Sequence, residues 1–325
     1  MIMTRTPLRI TFTGGGTDIS SYYREHGPGA VVNAAINKYI YITVNKKFDN
    51  EIRVSYSKTE IVPHVSDIQH PTVREALRLL GIDGGIEIVS MSDIPSGGTG
   101  LGSSSSFLVG LLNALHAWKG EFAPPRQLAE EAVEIERNVL REPGGKQDEY
   151  IAAYGGLQFM EFNRDESVVV KPIIMAEEAR DGLWRHLQML YTGRQRASAD
   201  LHKAQSAGTL PNLKSYDSMR DLANRLYSNL TNGDWRDTGR LMHENWMLKK
   251  KLAGGISDNT IDDWYSRALA AGAIGGKIMG AGGGGFLLLF TPPERHEAVR
   301  LALPELVEQE FEFEPQGSSI VYVGD

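Results

Sequence analysis

The chain has 325 residues, of which 41% are hydrophobic and 23% charged, and its 35 glycines and 14 prolines follow no short repeat. This composition is typical of a folded globular protein and excludes collagen-like, coiled-coil and wholly disordered chains. The lack of cysteine excludes disulfides, thiolate metal centres and cysteine nucleophiles. The net charge of -7 forms no basic patch, and no apolar run approaches the length of a membrane span. We therefore expect a cytoplasmic protein that binds neither nucleic acid nor a membrane.

The first 175 residues predict strands, then two helices, then strands again. Helical spacing of apolar residues covers 103–118 and 125–141. Runs rich in β-branched and aromatic residues, bounded by turn residues, predict a mixed or antiparallel sheet. The predicted strands lie at 8–13, 39–44, 52–56, 86–90, 156–162 and 168–174.

From about residue 178 the pattern becomes mostly helical. Helices are predicted at 215–230, 234–252 and 258–272, and strands at 186–192, 286–290 and 318–323. Strands and helices are segregated instead of alternating regularly, which favours an α+β class over a doubly wound parallel sheet. We expect two domains, at 1–175 and 176–325.

A loop rich in glycine and serine at 93–106 follows a predicted strand and runs directly into the helix 103–118. Glycines allow the backbone to approach a ligand, and the free N–H groups at a helix N-terminus favour an anion such as phosphate. Ser103 stands where a Walker loop requires lysine, which excludes that motif, whereas the Ser104 hydroxyl could meet magnesium. The alternative is a flexible turn with a helix cap. The four glycines are Gly97, Gly98, Gly100 and Gly102.

Glu136 falls in the middle of the apolar face of the predicted helix 125–141, while Arg137 falls on its polar face. A buried carboxylate is costly unless it is paired or bound to a metal. This position indicates either a magnesium ligand or a buried ion pair with an arginine or lysine elsewhere in the chain.

Asp148 lies in a turn at 143–150, and we place it on a loop. An aspartate there could accept the proton of a substrate hydroxyl, as in other phosphoryl-transfer sites, or could cap the next helix.

Two more glycine clusters lie near the two ends of the chain. Near the start, three glycines follow a strand and lead to Asp18, which could bind sugar hydroxyls or could form an Asx turn or cap a helix over 19–23. Near the end, the cluster at 275–285 precedes the strand 286–290 and could face a ligand, face another loop or form a tight hairpin.

Together the three clusters resemble, in order, the motifs of the GHMP kinase family (galacto-, homoserine, mevalonate and phosphomevalonate kinases), at 7–18, 95–105 and 277–285. The central motif, Pro-Ser-Gly-Gly-Thr-Gly-Leu-Gly-Ser-Ser-Ser, is specific. The resemblance implies a kinase that uses ATP and Mg²⁺. It also implies a domain related to ribosomal protein S5 domain 2, followed by a ferredoxin-like domain, with both substrates in the cleft between them.

The resemblance also implies a role for individual residues. Ser104 and Glu136 would bind magnesium, and Asp148 would face the phosphoryl-accepting hydroxyl as the catalytic residue. The ATP phosphates would contact Gly97, Gly98, Gly100, Leu101, Gly102, Ser103, Ser104 and Ser105. The acceptor sugar would contact Arg9, Gly15, Gly16, Thr17, Asp18, Arg196, Gly282 and Gly283.

Within the family, the segments 13–18 and 192–197 are most similar to bacterial kinases of D-glycero-D-manno-heptose 7-phosphate. That similarity implies phosphorylation of the anomeric O1 in GDP-heptose synthesis, with ATP and a sugar phosphate as small-molecule partners. Arg194 and Arg196 are candidate anchors for the 7-phosphate, and Arg9 and Lys38 are weaker ones. A kinase of an unphosphorylated sugar such as fucose and a silent ligand sensor are the alternatives.

The residues that hold adenine are not predicted. Tyr56 and Trp118 are weak candidates, for which ordinary core packing is the favoured interpretation.

Overall fold

The computed structural model describes residues 1–95, 98–194 and 198–324, without the side chains of residues 198, 199 and 202. Twelve strands lie within these residues. They are β1 (Ile2–Thr13), β2 (Gly29–Lys46), β3 (Ile52–Ser55), β4 (Thr59–Val62), β5 (Ile86–Ser92), β6 (Leu157–Phe162), β7 (Val168–Pro172), β8 (Leu187–Tyr191), β9 (Gly275–Ile278), β10 (Phe286–Phe290), β11 (Val307–Glu308) and β12 (Ser319–Val323).

The same ranges contain eleven α-helices, and a π-helical segment, Glu134–Val139, extends the fourth. None of these helices is long and apolar enough to cross a membrane. They are α1 (Ser20–His26), α2 (Pro71–Leu79), α3 (Ser103–Trp118), α4 (Pro125–Val133), α5 (Gln147–Tyr154), α6 (Glu177–Arg185), α7 (Ser198–Ala207), α8 (Leu213–Thr231), α9 (Thr238–Lys249), α10 (Asn259–Ala270) and α11 (His296–Ala302).

The long strand β2 organises the first sheet. Along one edge it pairs with β1, and along the other it pairs first with β6 and then with β5. The strand order is β12-β1-β2-β5-β3-β4, with β6 and β7 branching from the first half of β2. The β3–β5 pair is parallel and the other pairs are antiparallel, so of the two predicted alternatives, mixed or antiparallel, this sheet is mixed.

The second half of the chain builds a smaller antiparallel sheet with the order β11-β8-β10-β9. The last strand, β12, then returns to the first sheet, where it pairs with the start of β1. The chain thus passes from one sheet to the other between Pro172 and Leu187 and crosses back before Ser319. The two-domain division at residue 175 stays a prediction.

Long periodic helices agree with their predictions better than short ones do. The segments 103–118, 215–230 and 258–272 correspond to α3, α8 and α10 within a few residues. The helices α2, α6, α7 and α11 are not predicted; they span only seven to ten residues each, which is shorter than the windows over which helical spacing is read.

Helix α3 is central to the first half of the chain, where it packs on β1, β2, α4 and α5. Its residues from Leu108 to His116 are all buried, which is expected of a helix enclosed by other elements. The helix begins directly after Gly102, whose φ of 78° is in the left-handed region. The N-terminus of a buried, rigid helix is thereby fixed at the end of the glycine-serine loop.

Candidate active site

One cavity of about 970 Å³ brings together the three glycine clusters. It is lined by β1 and the loop after it, by the start of α3, by the π segment, by α5, and by the ends of α9 and β9. The lining residues among those predicted from sequence are Arg9, Gly15, Gly16, Asp18, Gly98, Gly100, Gly102, Ser103, Ser104, Ser105, Glu136, Asp148 and Gly282.

The glycine-serine loop lies directly against the third glycine cluster. A Cβ atom at Gly100 would be 2.5 Å from the carbonyl oxygen of Met279, and one at Gly280 would be 2.6 Å from the Cα of Gly100. Such contacts leave no room for side chains. The third cluster therefore packs against the glycine-serine loop, and its Gly280 and Gly282 also line the cavity.

Glu136 points inward, as predicted from its position on the apolar face, and is 3% exposed. Its carboxylate accepts hydrogen bonds from the Ser104 hydroxyl at 2.8 Å and from the Ser105 hydroxyl at 3.0 Å. The first turn of α3 and the π segment thus present one hydroxyl-carboxylate pair to the cavity. Mg²⁺ suits such a pair, because it typically takes one or two protein oxygens and completes its shell with phosphates and water.

Arg137 is not on a solvated face, and that prediction is wrong. The π segment shifts the helix register after Val133, so the Arg137 side chain turns inward between two carboxylates. Its Nη2 lies 3.1 Å from Glu136 and 2.6 Å from the fully buried Glu149. The ion-pair alternative for Glu136 is therefore confirmed, with the neighbouring Arg137 as its partner, and its role as a magnesium ligand stays a prediction.

The charges of Glu136, Arg137 and Glu149 depend on one another. Burial raises the pKa of Glu149, the cation of Arg137 opposes that rise, and Glu136 adds to it. Burial works against the charge of Arg137, but Glu149 and Glu136 hold its pKa above the usual range.

Asp148 lies in the first turn of α5, so its placement on a loop is wrong. The eight residues of α5 are too few for a clear periodic signal. The carboxylate does not cap this helix; Arg9 holds it through two hydrogen bonds of 2.7 Å, Nε to Oδ1 and Nη2 to Oδ2. A Cβ atom at Gly102 would be 3.3 Å from Asp148 Oδ2. The carboxylate therefore lies beside the N-terminus of α3.

Asp18 is 2% exposed and is fixed by backbone and side-chain donors. Its Oδ1 accepts from the Gly16 amide at 2.9 Å, and its Oδ2 accepts from the Gln147 amide at 3.2 Å and from Gln147 Nε2 at 3.1 Å. It does not cap α1, whose N-cap is Ile19. The two carboxylate oxygens of Asp18 can accept four hydrogen bonds and accept three here, so one more donor from the cavity can bind.

Comparison with known proteins identifies the family to which this site belongs. The model for the GHMP kinases N terminal domain matches residues 70–156, and the model for the GHMP kinases C terminal matches residues 226–309. The chain belongs to the GHMP kinase family. GHMP kinases are ATP-dependent phosphotransferases, and the α+β fold of this one matches those of its relatives.

Three relatives of this GHMP kinase cover almost all of it. It is 30% identical to a D-glycero-alpha-D-manno-heptose 7-phosphate kinase of Campylobacter jejuni, over 97% of each chain. It is 24% identical to an L-fucokinase/L-fucose-1-P guanylyltransferase of Bacteroides fragilis, over 93% of this chain and 36% of that one. A crystal structure of a D-glycero-D-manno-heptose 1-phosphate kinase from Bacteroides thetaiotaomicron superimposes with a TM-score of 0.83, 25% identity and full coverage of both chains.

Some motif residues of this GHMP kinase support the site from outside the cavity lining. Leu101 is fully buried and its carbonyl accepts from the Arg9 amide. The Thr17 hydroxyl bonds to the backbone of Ala30, and the Gly283 amide donates to Ile256. Gly97 and Arg196 lie outside the described residues. Arg194 and Lys38 also lie outside the cavity lining. Arg194 pairs with Asp258 at 2.6 Å.

Two lysines that the sequence analysis does not single out also line the cavity. Lys249 ends α9 and is 4% exposed, and Lys277 lies in β9 and is 1% exposed. Lys249 continues the buried face formed by Met242 and Asn245, so the helical-face argument applied to Glu136 would have found it. Lys277 carries no such signal, because four residues of strand show no clear period.

Aromatic side chains line a further part of the cavity. Tyr56 meets His70 edge to face with ring centroids 4.8 Å apart, and His70 stacks on Phe107 at 5.2 Å. Tyr56 is thus in the lining, whereas Trp118 packs against the core outside it. These rings offer aromatic surface of the kind that a purine base contacts.

The buried ion pairs of Arg137 lead to a prediction about stability. Arg137→Met should lower the free energy of unfolding by about 3–5 kcal/mol, because Glu149 loses its cation while it stays buried. Adding Glu149→Gln should recover part of the loss. Urea unfolding measures both effects.

Arg126→Ala provides the matched control on α4. Its ion pair with Glu130 is exposed, so the unfolding midpoint should not move. Wild-type stability of the Arg137→Met protein would contradict the proposed compensation.

Proposed function

We infer that this protein transfers the γ-phosphoryl group of ATP to the anomeric O1 of D-glycero-D-manno-heptose 7-phosphate. The products would be the 1,7-bisphosphate and ADP, and the reaction would belong to GDP-heptose biosynthesis. The observation that carries this proposal is the position of the Asp148 carboxylate, clamped by Arg9 and adjacent to the helix terminus suited to ATP phosphates. The Campylobacter jejuni relative supports the choice of sugar.

ATP phosphates would bind at the loop 98–105. The N–H groups of the first turn of α3 have no acceptors within the helix, and the helix dipole adds a positive potential there. Gly100 and Gly102, with φ of 76° and 78°, let the backbone curve around a phosphate. The aromatic wall of Tyr56, His70 and Phe107 would then contact the adenine.

Ser104 and Glu136 would hold Mg²⁺ once nucleotide is bound, because both oxygens face the cavity and lie 2.8 Å apart. The metal supplies charge neutralisation to the phosphates of ATP. Arg137 would keep the Glu136 carboxylate in place through its second ion pair, with Glu149.

Asp148 would position the acceptor hydroxyl and take its proton. Phosphoryl transfer passes through a loose transition state, so alignment of the hydroxyl contributes more than strong basicity. The bidentate contact with Arg9 fixes the carboxylate plane, and Arg9 adds a cation close to the reacting oxygens. Asp18, with one acceptor position left, would orient a second sugar hydroxyl.

Two other functions are compatible with the same fold. The fucokinase relative suggests a kinase of an unphosphorylated sugar. A silent sensor would not need Asp148, Ser104 and Glu136 around one cavity, so this arrangement argues against it.

Measurement of ADP release with a panel of acceptors tests the proposal. The panel holds the heptose 7-phosphate, free heptose, fucose, galactose, mannose, homoserine and mevalonate. We expect the highest kcat/KM with the heptose 7-phosphate, and a product whose anomeric proton couples to phosphorus. Equal kcat/KM with free heptose would contradict the proposed substrate, and inactivity with every acceptor would favour the sensor.

Asp148→Asn should lower kcat by about 10² or more, a loss of the size expected for a general base, because the amide cannot take the hydroxyl proton. The affinity for ATP, measured with a fluorescent nucleotide, should change little. Asp221→Asn on the exposed side of α8 is the control and should leave kcat unchanged. Wild-type turnover of the Asp148 variant would remove this residue from the mechanism.

Glu136→Gln should raise the Mg²⁺ concentration needed for ATP binding and turnover, since a neutral amide is a weaker ligand of about the same volume. Titration of Mg²⁺ against nucleotide binding gives a readout that is independent of turnover. Glu134→Gln, on the exposed side of the same segment, is the matched control. If the Mg²⁺ dependence of the Glu136 variant does not change, this carboxylate serves only the ion pair with Arg137.

A further inference from the structure

Lys249 and Lys277 are buried lysines that the proposed chemistry of ATP, Mg²⁺ and Asp148 does not use. They reach one region of the cavity from different elements, the end of α9 and the middle of β9. A lysine is seldom this buried unless its ammonium group has a partner.

The two lysines differ in their hydrogen bonds. Lys249 Nζ donates to the Gly280 carbonyl at 2.6 Å. Lys277 makes no hydrogen bond or ion pair with the residues described here, and a Cβ atom at Gly15 would be 3.7 Å from its Nζ. The ammonium of Lys277 therefore lies beside the glycine loop that precedes Asp18.

The nearby carboxylates are already engaged. Asp148 is held by Arg9, and Asp18 accepts three hydrogen bonds from Gly16 and Gln147. Counting Arg9, Lys249 and Lys277 against the two aspartates leaves an excess of one positive charge when both lysines are protonated. In that protonation state, one bound anion would neutralise these five groups.

The pKa values of both lysines are lowered in this positively charged, buried environment. Burial lowers the pKa of Lys249 to about 8, an effect that Asp18 and Asp148 oppose and Arg9 reinforces. Burial, then Lys249 and Arg9, hold the pKa of Lys277 well below its usual range. A bound anion would favour the charged form of both lysines.

The start of α3 would supply its own donors to the ATP phosphates. Lys277 instead lies beside Gly15, in the loop that leads to Asp18, the residue proposed to bind the sugar, and Lys249 lies beside Gly280, which contacts Gly100. We propose that Lys249 and Lys277 bind the phosphate group that the acceptor sugar itself carries. This assignment rests on the proposed heptose 7-phosphate kinase activity. It replaces Arg194, whose guanidinium is paired with Asp258 outside the cavity lining.

The test compares Lys277→Met and Lys249→Met with the wild-type protein, using the heptose 7-phosphate and free heptose as acceptors. Each substitution should raise KM for the heptose 7-phosphate by about ten- to a hundredfold, the value of one charge-assisted contact. The KM for free heptose and for ATP should stay near wild type. Lys251→Met, an exposed lysine two residues beyond α9, is the matched control and should change none of these constants.

Two other outcomes would overturn the assignment, and they are distinguishable. Equal losses with both acceptors, together with a changed KM for ATP, would assign the lysines to the transferred phosphoryl group and leave the proposed activity intact. A wild-type protein that does not prefer the phosphorylated sugar would refute the proposed substrate, and with it this site, before any variant is made.

Calorimetric binding of the heptose 7-phosphate without ATP gives a second readout. Thermal unfolding should show both methionine variants folded, because methionine has about the volume of lysine and needs no hydrogen-bond partner. Lys277→Gln replaces Lys277→Met if that variant does not fold. Wild-type affinity for the heptose 7-phosphate in both lysine variants would also refute the site.

Discussion

The close contact between two glycine loops fixes the geometry of this site. At Gly100 and Gly280 the backbones approach so closely that a Cβ atom on either residue would overlap the other loop. A Cβ atom at Gly285 would likewise meet the Thr99 carbonyl at 2.3 Å. Because the loop leads directly into the buried helix α3, this contact ties the helix N-terminus to the second half of the chain. The proposed phosphate site, the Asp148 carboxylate and the lysine pair are consequently held around one cavity.

The cavity wall concentrates buried charge, and most of that charge is compensated locally. Arg9 pairs with Asp148, and Arg137 pairs with both Glu136 and Glu149. Such pairs cost desolvation free energy and add little net stability, so their presence is better explained by the positions they enforce. Asp148, proposed to act on the acceptor hydroxyl, and Glu136, proposed to hold Mg²⁺, are each held by an arginine. Lys277, which has no partner among the described residues, stands out against this pattern.

Structure can be predicted from this sequence where the spacing of apolar residues within one segment carries the information. The buried position of Glu136 followed from the helical pattern of 125–141, and the start of α3 followed from the loop before it. The inward turn of Arg137 could not be predicted, because the π segment adds a residue to the helical turn and rotates the side chains after it. The return of β12 to the first sheet was equally hidden, since strand pairing between the two ends of the chain leaves no mark in local sequence.

The catalytic and selective parts of the proposed site come from different halves of the chain. Asp148, Arg9, Ser104 and Glu136, which would perform phosphoryl transfer, all lie on elements of the first half of the chain. Lys249 and Lys277, which would recognise the acceptor's phosphate, lie on α9 and β9 of the second half. Because the glycine contact fixes the two groups relative to each other, the lysines could change without moving the catalytic carboxylates. A member of this fold could therefore acquire another acceptor through substitutions at the ends of α9 and β9, with the phosphate loop and the Arg9-Asp148 pair unaltered.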